Sequence, residues 1–388
     1  MPAMDHIRYL AEAIGPRGST TPQEAEAARY AARVLKDLGL EPVTESFTSA
    51  RSAWYPYVLF TGLVLLAEIL FWAAGRVGAM IAAVLTTVAL ASVLLELAFR
   101  PNPIRWILPK GRSQNVWARR MPSGEVRQKV VVMGHLDTHR TPLAFSTDRW
   151  VRLFSRLVPL GLASSVALLV LFILGVAVPG LLWRFLSLPF ALVILGVFLI
   201  TIQADFSPYT AGANDNATGA GIVLSLAERL SREPLARTAV WLVLSGCEEV
   251  GCYGAEDFAR RHREELGDAI WITLDSVGGA HSSPAYLTHE TFLLTVPSDP
   301  ELLRLAERIA ARHPEWGVHP HHFRGAYTEG SIAAQYGFRV LTFTSHRRDG
   351  ILPEWHRPTD TVDHLDPQVV EHTEALIGEL LQEIDREG

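Results

Sequence analysis

Two adjacent carboxylates, Glu248 and Glu249, follow a run of apolar residues and precede a glycine. Residues 239–244 predict a buried strand, and the pair comes just after its end. Side chains of neighbouring residues diverge, so two acids at a strand exit can serve different tasks. One can bind a metal ion while the other moves a proton. For the pair taken alone, a solvated acidic loop is the competing interpretation.

A histidine and an aspartate follow another predicted strand, residues 128–133. The two-residue spacing of His135 and Asp137 puts both side chains on one side of an extended chain. The carboxylate of Asp137 can then receive the imidazole N–H and orient His135 as a metal ligand. A surface His-x-Asp pair is the alternative.

Three further residues of the same chemical kind lie later in the chain. Asp215 lies in the segment Gly212-Ala213-Asn214-Asp215-Asn216-Ala217-Thr218-Gly219, which leads into a predicted helix. An ordinary turn with a helix cap is its alternative, and residues 216–218 also match a glycosylation sequon. Asp275 closes a predicted strand at 270–274, and His356 lies in the polar segment 353–361.

Together these residues supply two imidazoles and three carboxylates without a thiolate. Such a hard nitrogen and oxygen ligand set suits paired zinc ions, with Mn²⁺ or Co²⁺ as substitutes. Two metals about 3.5–4 Å apart can share a carboxylate, activate water and polarise a carbonyl. A further carboxylate must then carry the proton to the leaving amine.

The elements that position these residues alternate between strand and helix after residue 204. Helical patterns cover 219–230, 255–265, 299–312 and 367–387, and the opening residues 4–38 predict two amphipathic helices. This rhythm predicts an α/β fold with a central sheet covered by helices.

Two pairs of long apolar segments interrupt that pattern. Residues 52–75 and 77–99 form the first pair, and residues 157–183 and 185–203 form the second. Each is long enough for the roughly 20 residues that cross a bilayer. They predict two transmembrane hairpins, at 52–99 and 157–203, and buried core helices are the alternative. The remainder of the chain is then discontinuous: 1–51, 100–156 and 204–388.

Composition excludes several classes of protein. The 388-residue chain has a net charge of −6 and no Lys/Arg-rich block, so no nucleic-acid partner is expected. Cys247 and Cys252 are the only cysteines. They exclude a disulfide framework and are compatible with a reducing compartment. The polar N-terminus shows no cleavable signal peptide.

The order His-x-Asp, Asp-Asn-x-x-Gly, Glu-Glu, Asp, His resembles the di-zinc aminopeptidase family of metallopeptidases. These zinc-dependent exopeptidases are related to glutamate carboxypeptidase, the transferrin receptor and glutaminyl cyclase. The similarity covers the polar parts of the chain nearly end to end, including Ile14-Gly15-Pro16-Arg17. It implies a phosphorylase/hydrolase-like fold, in which helices cover a mixed central sheet.

The resemblance also implies roles. His135 and Asp275 would hold one zinc, Glu249 and His356 the other, and Asp215 would bridge the two. Three further residues receive catalytic roles: Glu248 as general base, Asp137 as the residue that orients His135, and Tyr327 as oxyanion donor. Tyr327 lies in Tyr327-Thr328-Glu329-Gly330-Ser331, where Glu329 replaces the family's usual Asp. Four histidines match no ligand position and are expected at the surface or the pocket rim: His139, His319, His321 and His322.

These observations predict a membrane-anchored zinc exopeptidase, in the first instance an aminopeptidase that acts on peptides. A carboxypeptidase, a glutaminyl cyclase and an inactive receptor-like protein are the alternatives. Peptide substrate and membrane lipid are the expected partners, and the oligomeric state stays open.

Basic residues near the hairpins predict the orientation, because positive residues are retained inside. The segments outside the hairpins carry Arg51, Arg100, Arg105, Lys110, Arg112, Arg149, Arg152 and Arg156, whereas the hairpin turns carry Arg76 and Arg184. The catalytic domain is therefore expected on the cytoplasmic side, in the plasma membrane of a prokaryote.

Overall fold

The computed structural model describes residues 1–100 and 102–387. Pro101 and Gly388, which belong to the expected peptidase segments, lie outside the described residues. The chain divides into two compact units. The sheet unit comprises Met1–Arg51, Lys110–Thr141 and Pro208–Gly388, and the helix unit comprises Ser52–Pro109 and Pro142–Ser207. The helix unit is longer than the two expected hairpins, because it also includes residues 100–109, 142–156 and 204–207.

The sheet unit is built on one mixed sheet. Its strands are β1 Val43–Ala50, β2 Lys110–Arg120, β3 Gln128–His135, β4 Thr238–Ser245, β5 Ile270–Leu274, β6 Ser283–Thr291, β7 Thr295–Pro297, β8 His319–Arg324 and β9 Arg339–His346. The order is β1-β2-β4-β3-β5-β9-β6-β7, and β8 pairs with β6. Strands β4, β3, β5 and β9 are neighbours and run parallel, so their carboxyl ends lie at one edge.

The helices are α1 Ala3–Arg8, α2 Pro22–Asp37, α3 Tyr55–Ala73, α4 Gly75–Leu97, α5 Asp148–Ala177, α6 Leu181–Phe206, α7 Gly219–Arg232, α8 Tyr253–Leu266, α9 Pro300–Arg312, α10 Glu329–Gln335 and α11 Pro367–Glu387. Helix α1 continues as a π-helix over Tyr9–Ile14. All except α3 to α6 belong to the sheet unit. The predicted α/β fold with a helix-covered central sheet is confirmed, and its sheet is mixed.

Burial explains why the central strands are apolar. All eight residues of β4 are buried, as expected for a parallel strand covered on both faces. Its Leu242 and Leu244 pack in the main core with Val130, Val132 and Ile272. Because their apolar side chains bury these strands side by side, the strand ends and the polar residues after them lie at one edge of the sheet.

Two side chains, those of Thr21 and Glu24, accept hydrogen bonds from backbone N–H groups at the start of helix α2. The Oγ1 of Thr21 accepts from the Glu24 N–H, and the Glu24 carboxylate accepts from the Thr20 N–H at 2.8 Å. Thr21 is therefore the N-cap of α2. Glu24 is buried in the process, which places its second carboxylate oxygen inside the sheet unit.

The helix unit contains four helices, α3 to α6, that are long and apolar enough to cross a membrane. The break in the second pair differs from the expected one at Arg184, which lies inside α6. Helix α5 ends at Ala177 and α6 starts at Leu181, because Pro179 lacks an N–H and Gly180 follows it. Helix α5 also starts earlier than expected, at Asp148, where the Thr147 side chain caps it.

Candidate metal centre

The predicted ligands come from the shared edge of the parallel strands. His135 is the last residue of β3, Glu248 and Glu249 follow β4, and Asp275 follows β5. Ligands in α/β proteins bind at the carboxyl ends of such strands. Asp215 joins them from the segment before α7, and its peptide bond to Asn216 is cis. His356 lies in the loop after β9.

The carboxylate of Asp215 lies between two imidazoles. Its Oδ1 is 3.4 Å from the Nε2 of His135, and its Oδ2 is 3.4 Å from the Nε2 of His356. On the His135 side, the Asp275 Oδ1 lies 3.9 Å from that Nε2. On the His356 side, the Glu249 Oε2 lies at 3.2 Å. The structure therefore brings all five sequence-predicted ligands together, in two groups that meet at Asp215.

These separations fit two metal ions. Ligand atoms about 2.0–2.2 Å from a tetrahedral zinc stand roughly 3.3–3.5 Å apart, which is the spacing around Asp215. The Nε2 of His135 and the Oε1 of Glu249 are also buried without a hydrogen bond to any described residue. A buried polar atom without a partner costs about 1–3 kcal/mol, and metal coordination would remove that cost. The donor set therefore fits metal ions by distance and by polarity.

The pKa shifts of the site residues also indicate a cation-binding site. Burial, followed by the charge of Asp215, raises the pKa of Glu249 to about 8. Burial opposes protonation of His356, yet the charges of Glu249 and Asp215 prevail and raise its pKa to about 9. Burial opposes protonation of His135 as well, yet the charge of Glu248 and the nearby carboxylates of Asp137, Asp215 and Asp275 outweigh it and raise its pKa well above the usual range. Buried carboxylates thus attract cations to this site, and bound dications would replace the protons.

The imidazole of His135 lies near two oxygen acceptors of Asp137. Its Nδ1 lies 3.1 Å from the backbone carbonyl of Asp137 and 3.5 Å from the Asp137 carboxylate. A carbonyl oxygen can only accept, so Nδ1 carries the proton and the lone pair of Nε2 faces the other ligands. The Asp137 carbonyl is thus the closer of the two Asp137 acceptors to Nδ1, and the orienting role of the carboxylate stays a prediction.

The carboxylate of Asp137 holds the loop that carries the acidic pair. It accepts hydrogen bonds from the Ser19 hydroxyl at 2.6 Å, the Glu248 N–H at 3.0 Å and the Glu249 N–H at 3.2 Å. Glu24 supports the same loop, since its Oε1 accepts from the Cys247 N–H at 2.9 Å. Sequence analysis did not single out Glu24, because nothing in the sequence around it marks a contact with the distant Cys247.

The two residues of the acidic pair have different surroundings. The Glu248 Oε2 is 3.9 Å from the His135 Nε2, and its Oε1 lies 3.1 Å from the Cys252 thiol. Glu248 therefore lies beside the ligand cluster without pairing closely with a histidine, whereas Glu249 contacts His356. This difference agrees with one proton carrier and one ligand.

Asp360 was not predicted as a functional residue, although it lies four positions after His356 in the same motif. Its fully buried carboxylate accepts from the Asn214 N–H at 2.6 Å and the Asp215 N–H at 3.1 Å. Asn216 fixes the other side of the same segment, since its side chain donates to the Leu274 carbonyl at 2.7 Å. The sequon at Asn216 is buried in this arrangement.

Tyr327 and His139 lie in unexpected surroundings. The Tyr327 hydroxyl donates to the Leu294 carbonyl and accepts from the Leu294 N–H at 2.9 Å, so its oxyanion role stays a prediction. Glu329 is buried and receives a hydrogen bond from Ser245, and burial raises its pKa to about 7. His139 is buried rather than superficial and stacks on His356, with ring centroids 3.6 Å apart. It also groups with Glu249 and His356 as a candidate metal ligand.

Residues 197–381 match the family model described as Peptidase family M28. The matched region is just under half of the chain. The suspected resemblance to this family is confirmed by the match, which supports a metallopeptidase hydrolase. The matched region contains Asp215, Glu248, Glu249, Asp275 and His356, whereas His135 lies before it. A search of curated proteins gave no match.

Solved structures share the fold of this protein. A zinc aminopeptidase from Bacillus subtilis aligns at TM-score 0.58 and 14% identity, over 98% of this chain and 94% of that chain. A leucine aminopeptidase precursor from Bacteroides thetaiotaomicron aligns at 0.58 and 13%, over 98% and 95%. A glutaminyl cyclase from Tannerella forsythia aligns at 0.57 and 15%, over 98% and 97%. At these identities the likeness establishes the fold alone.

Proposed function

We propose that this protein is a member of peptidase family M28, a membrane-anchored zinc exopeptidase with two metal ions, and that it acts as an aminopeptidase on peptides. One observation carries the proposal. The two oxygens of Asp215 face two different histidines, each at 3.4 Å, as a bridging carboxylate requires. The zinc aminopeptidases among the structures of this fold support the choice of metal and of reaction.

The proposed division of labour follows from the two groups. His135 and Asp275 hold one ion, Glu249 and His356 hold the other, and Asp215 belongs to both. Bound zinc would supply Lewis-acid polarisation of the scissile carbonyl and would lower the pKa of water.

The chain's own residues supply the rest of the chemistry. Glu248 takes a proton from the attacking water and delivers it to the leaving amine. The Asp137 carboxylate keeps the Glu248 and Glu249 backbone in place for that transfer.

The test combines a metal count with a substrate screen on purified full-length protein. We expect two zinc ions per chain and release of N-terminal residues from aminoacyl amides and peptides. Glu248→Gln should retain the zinc and lose turnover. A single zinc with cyclisation of N-terminal glutamine would favour a glutaminyl cyclase, and release from the C-terminus would favour a carboxypeptidase. Two zinc ions without any turnover would favour a receptor-like protein.

We further propose that helices α3 to α6 cross the membrane as two hairpins and that the sheet unit is cytoplasmic. The excess of Lys and Arg outside the hairpin turns supports this orientation. The test is labelling of single cysteines in sealed cells with an impermeant thiol reagent, in a Cys247→Ala, Cys252→Ala background. A cysteine at Ser123, which is exposed in the sheet unit, should react only after lysis. A cysteine at Ala74, exposed in the first hairpin turn, should react in intact cells. The reverse pattern would refute the orientation.

A further inference from the structure

Arg17 is a fully buried cation that makes no ion pair with any described residue. Its side chain has no exposed surface, and its guanidinium donates only to backbone carbonyls. The acceptors are the oxygens of Leu136 at 2.9 Å, Leu10 at 2.8 Å, Gly15 at 2.9 Å, Ala211 at 2.7 Å and Gly212 at 3.0 Å. Burial of a charge is costly, and here the backbone carbonyls and the more distant charges of four carboxylates offset the cost: Asp360, Asp137, Asp215 and Glu249.

The position of three acceptors suggests a role for Arg17. The Leu136 carbonyl lies between His135 and Asp137, at the end of β3. The carbonyls of Ala211 and Gly212 lie just before Asp215. The planar guanidinium therefore joins the loop that carries the first proposed ligand to the loop that carries the shared one, through rigid forked donors.

Two further contacts make the junction tight. The Arg17 N–H donates to the Thr138 hydroxyl at 3.0 Å, and the Thr138 N–H donates to the Arg17 carbonyl at 3.2 Å. Gly212 adopts φ +61, and a Cβ there would lie 2.2 Å from a Thr138 methyl carbon and 2.5 Å from the Asp215 carbonyl. The two loops are packed so closely at Arg17 that a displaced guanidinium would displace them.

We propose that Arg17 is a positioning residue for the metal centre, which sets the separation of His135 and Asp215 through the carbonyls of their loops. This role rests on the proposed metal-dependent function. Arg17 lies outside residues 197–381 and touches neither histidine. It acts on the ligands through the backbone, and the five donors rather than the charge alone are decisive.

Two substitutions separate the forked geometry of the guanidinium from its charge, and a third controls for stability. Arg17→Lys keeps the positive charge, but its single ammonium group cannot donate to all five carbonyls. Arg17→Met keeps only the apolar part of the side chain. Arg120→Met is the matched control, because the half-buried Arg120 also donates to two carbonyls, of Leu230 at 3.0 Å and Ser231 at 3.1 Å. That contact lies away from the metal-carrying loops.

The measurement is zinc affinity of the purified full-length protein, by competition with a chelator and without substrate. Loss of a group that orients metal ligands typically weakens binding by about 10- to 100-fold. We expect that loss in both Arg17 variants and wild-type affinity in Arg120→Met. Circular dichroism and thermal unfolding of the metal-free proteins report folding separately.

Three results would overturn the role. Folded Arg17 variants with wild-type zinc affinity would show that the guanidinium is not needed to position the metal ligands. Wild-type affinity in Arg17→Lys alone would assign the effect to charge. Unfolding of both variants while Arg120→Met stays folded would assign Arg17 to general stability. Because zinc affinity is read without turnover, it stands even if the protein proves not to be an aminopeptidase.

Discussion

Replacement of Asp137 by Asn is expected to reduce turnover while both metal ions stay bound. The sequence predicts that this carboxylate orients His135, in which case the substitution should impair the first metal ion. In the structure the Asp137 carbonyl is the closer acceptor to the imidazole, and the substitution leaves it in place. The side chain instead holds the Glu248 and Glu249 N–H groups, so the substitution should displace the proton carrier.

The magnitude follows from three hydrogen bonds. An amide accepts through one oxygen only, so at least one of the donors from Ser19, Glu248 and Glu249 would face an NH₂ group. A buried donor without a partner costs about 1–3 kcal/mol, and the other bonds lose roughly 1 kcal/mol each when the acceptor is no longer charged. Loss of repulsion with Glu24, whose pKa is raised to about 8 by burial and then by Asp137, offsets part of this. The net loss of unfolding free energy is about 2–4 kcal/mol.

The assay pairs zinc stoichiometry with steady-state kinetics on Asp137→Asn. We expect two zinc ions, kcat lowered about 10- to 100-fold and KM nearly unchanged, as for other residues that orient catalytic groups. Ser19→Ala is the matched control: it removes one donor, and kcat should fall less than in Asp137→Asn. If Asp137→Asn lost zinc and regained wild-type kcat once saturating zinc restored both ions, the carboxylate would act on the metal ligands rather than on Glu248, and the assignment drawn from the structure would be wrong.

Three further outcomes follow from the site. Glu248→Gln should keep the metal and lose about 10²–10⁴-fold in kcat, whereas Glu249→Gln should lose zinc, and reversed behaviour would exchange their roles. Asp215→Asn should weaken both ions together in a calorimetric zinc titration, and selective loss of one ion would contradict a bridge. Zinc affinity should rise between pH 7 and 9, because the metal-free protein holds protons on Glu249 (pKa about 8) and His356 (pKa about 9) that zinc must displace at lower pH. A pH-independent affinity would contradict this competition.

The metal ligands could be predicted because their signal is local and chemical. His135, Glu249 and Asp275 each stand at or just after an apolar run, and the runs become parallel strands whose ends meet. A metal-binding residue type directly after a predicted strand can be recognised from the sequence alone. Their convergence on Asp215 then follows from the sheet order.

The residues that hold the ligands could not be predicted in the same way. Arg17, Asp360 and Glu24 act on backbone N–H and carbonyl groups, and every residue offers those groups. No side-chain pattern at the receiving positions marks the contact. Their roles depend on loops that are far apart in sequence, so they emerge only when the chain is folded.

The boundaries of the helix unit show a third kind of limit. Apolar composition predicts the four helices but not where each begins, because composition is nearly uniform across a turn. The break at residues 178–180 follows backbone chemistry, since Pro179 cannot donate a hydrogen bond, whereas the charged Arg184 is accommodated within α6. Charge alone was therefore a poor guide to the turn.

Both insertions leave the sheet unit and return to it at neighbouring backbone positions. Ala50 and Lys110 are paired across antiparallel β1 and β2, so residues 52–109 occupy the place of a hairpin connection. The Thr141 N–H donates to the Pro208 carbonyl at 2.8 Å, and Arg140 forms a β-bridge with Tyr209. Residues 142–207 therefore also begin and end at neighbouring backbone positions.

We therefore expect a shortened chain, with a two- to four-residue Gly/Asn turn in place of each insertion, to fold as a soluble protein. It should bind zinc with the affinity of the full-length protein, because every contact described around the metal ligands joins residues of the sheet unit. Gel filtration, circular dichroism and the chelator competition test this. A shortened chain that folds but binds zinc at least tenfold more weakly would show that the helix unit helps to form the metal centre.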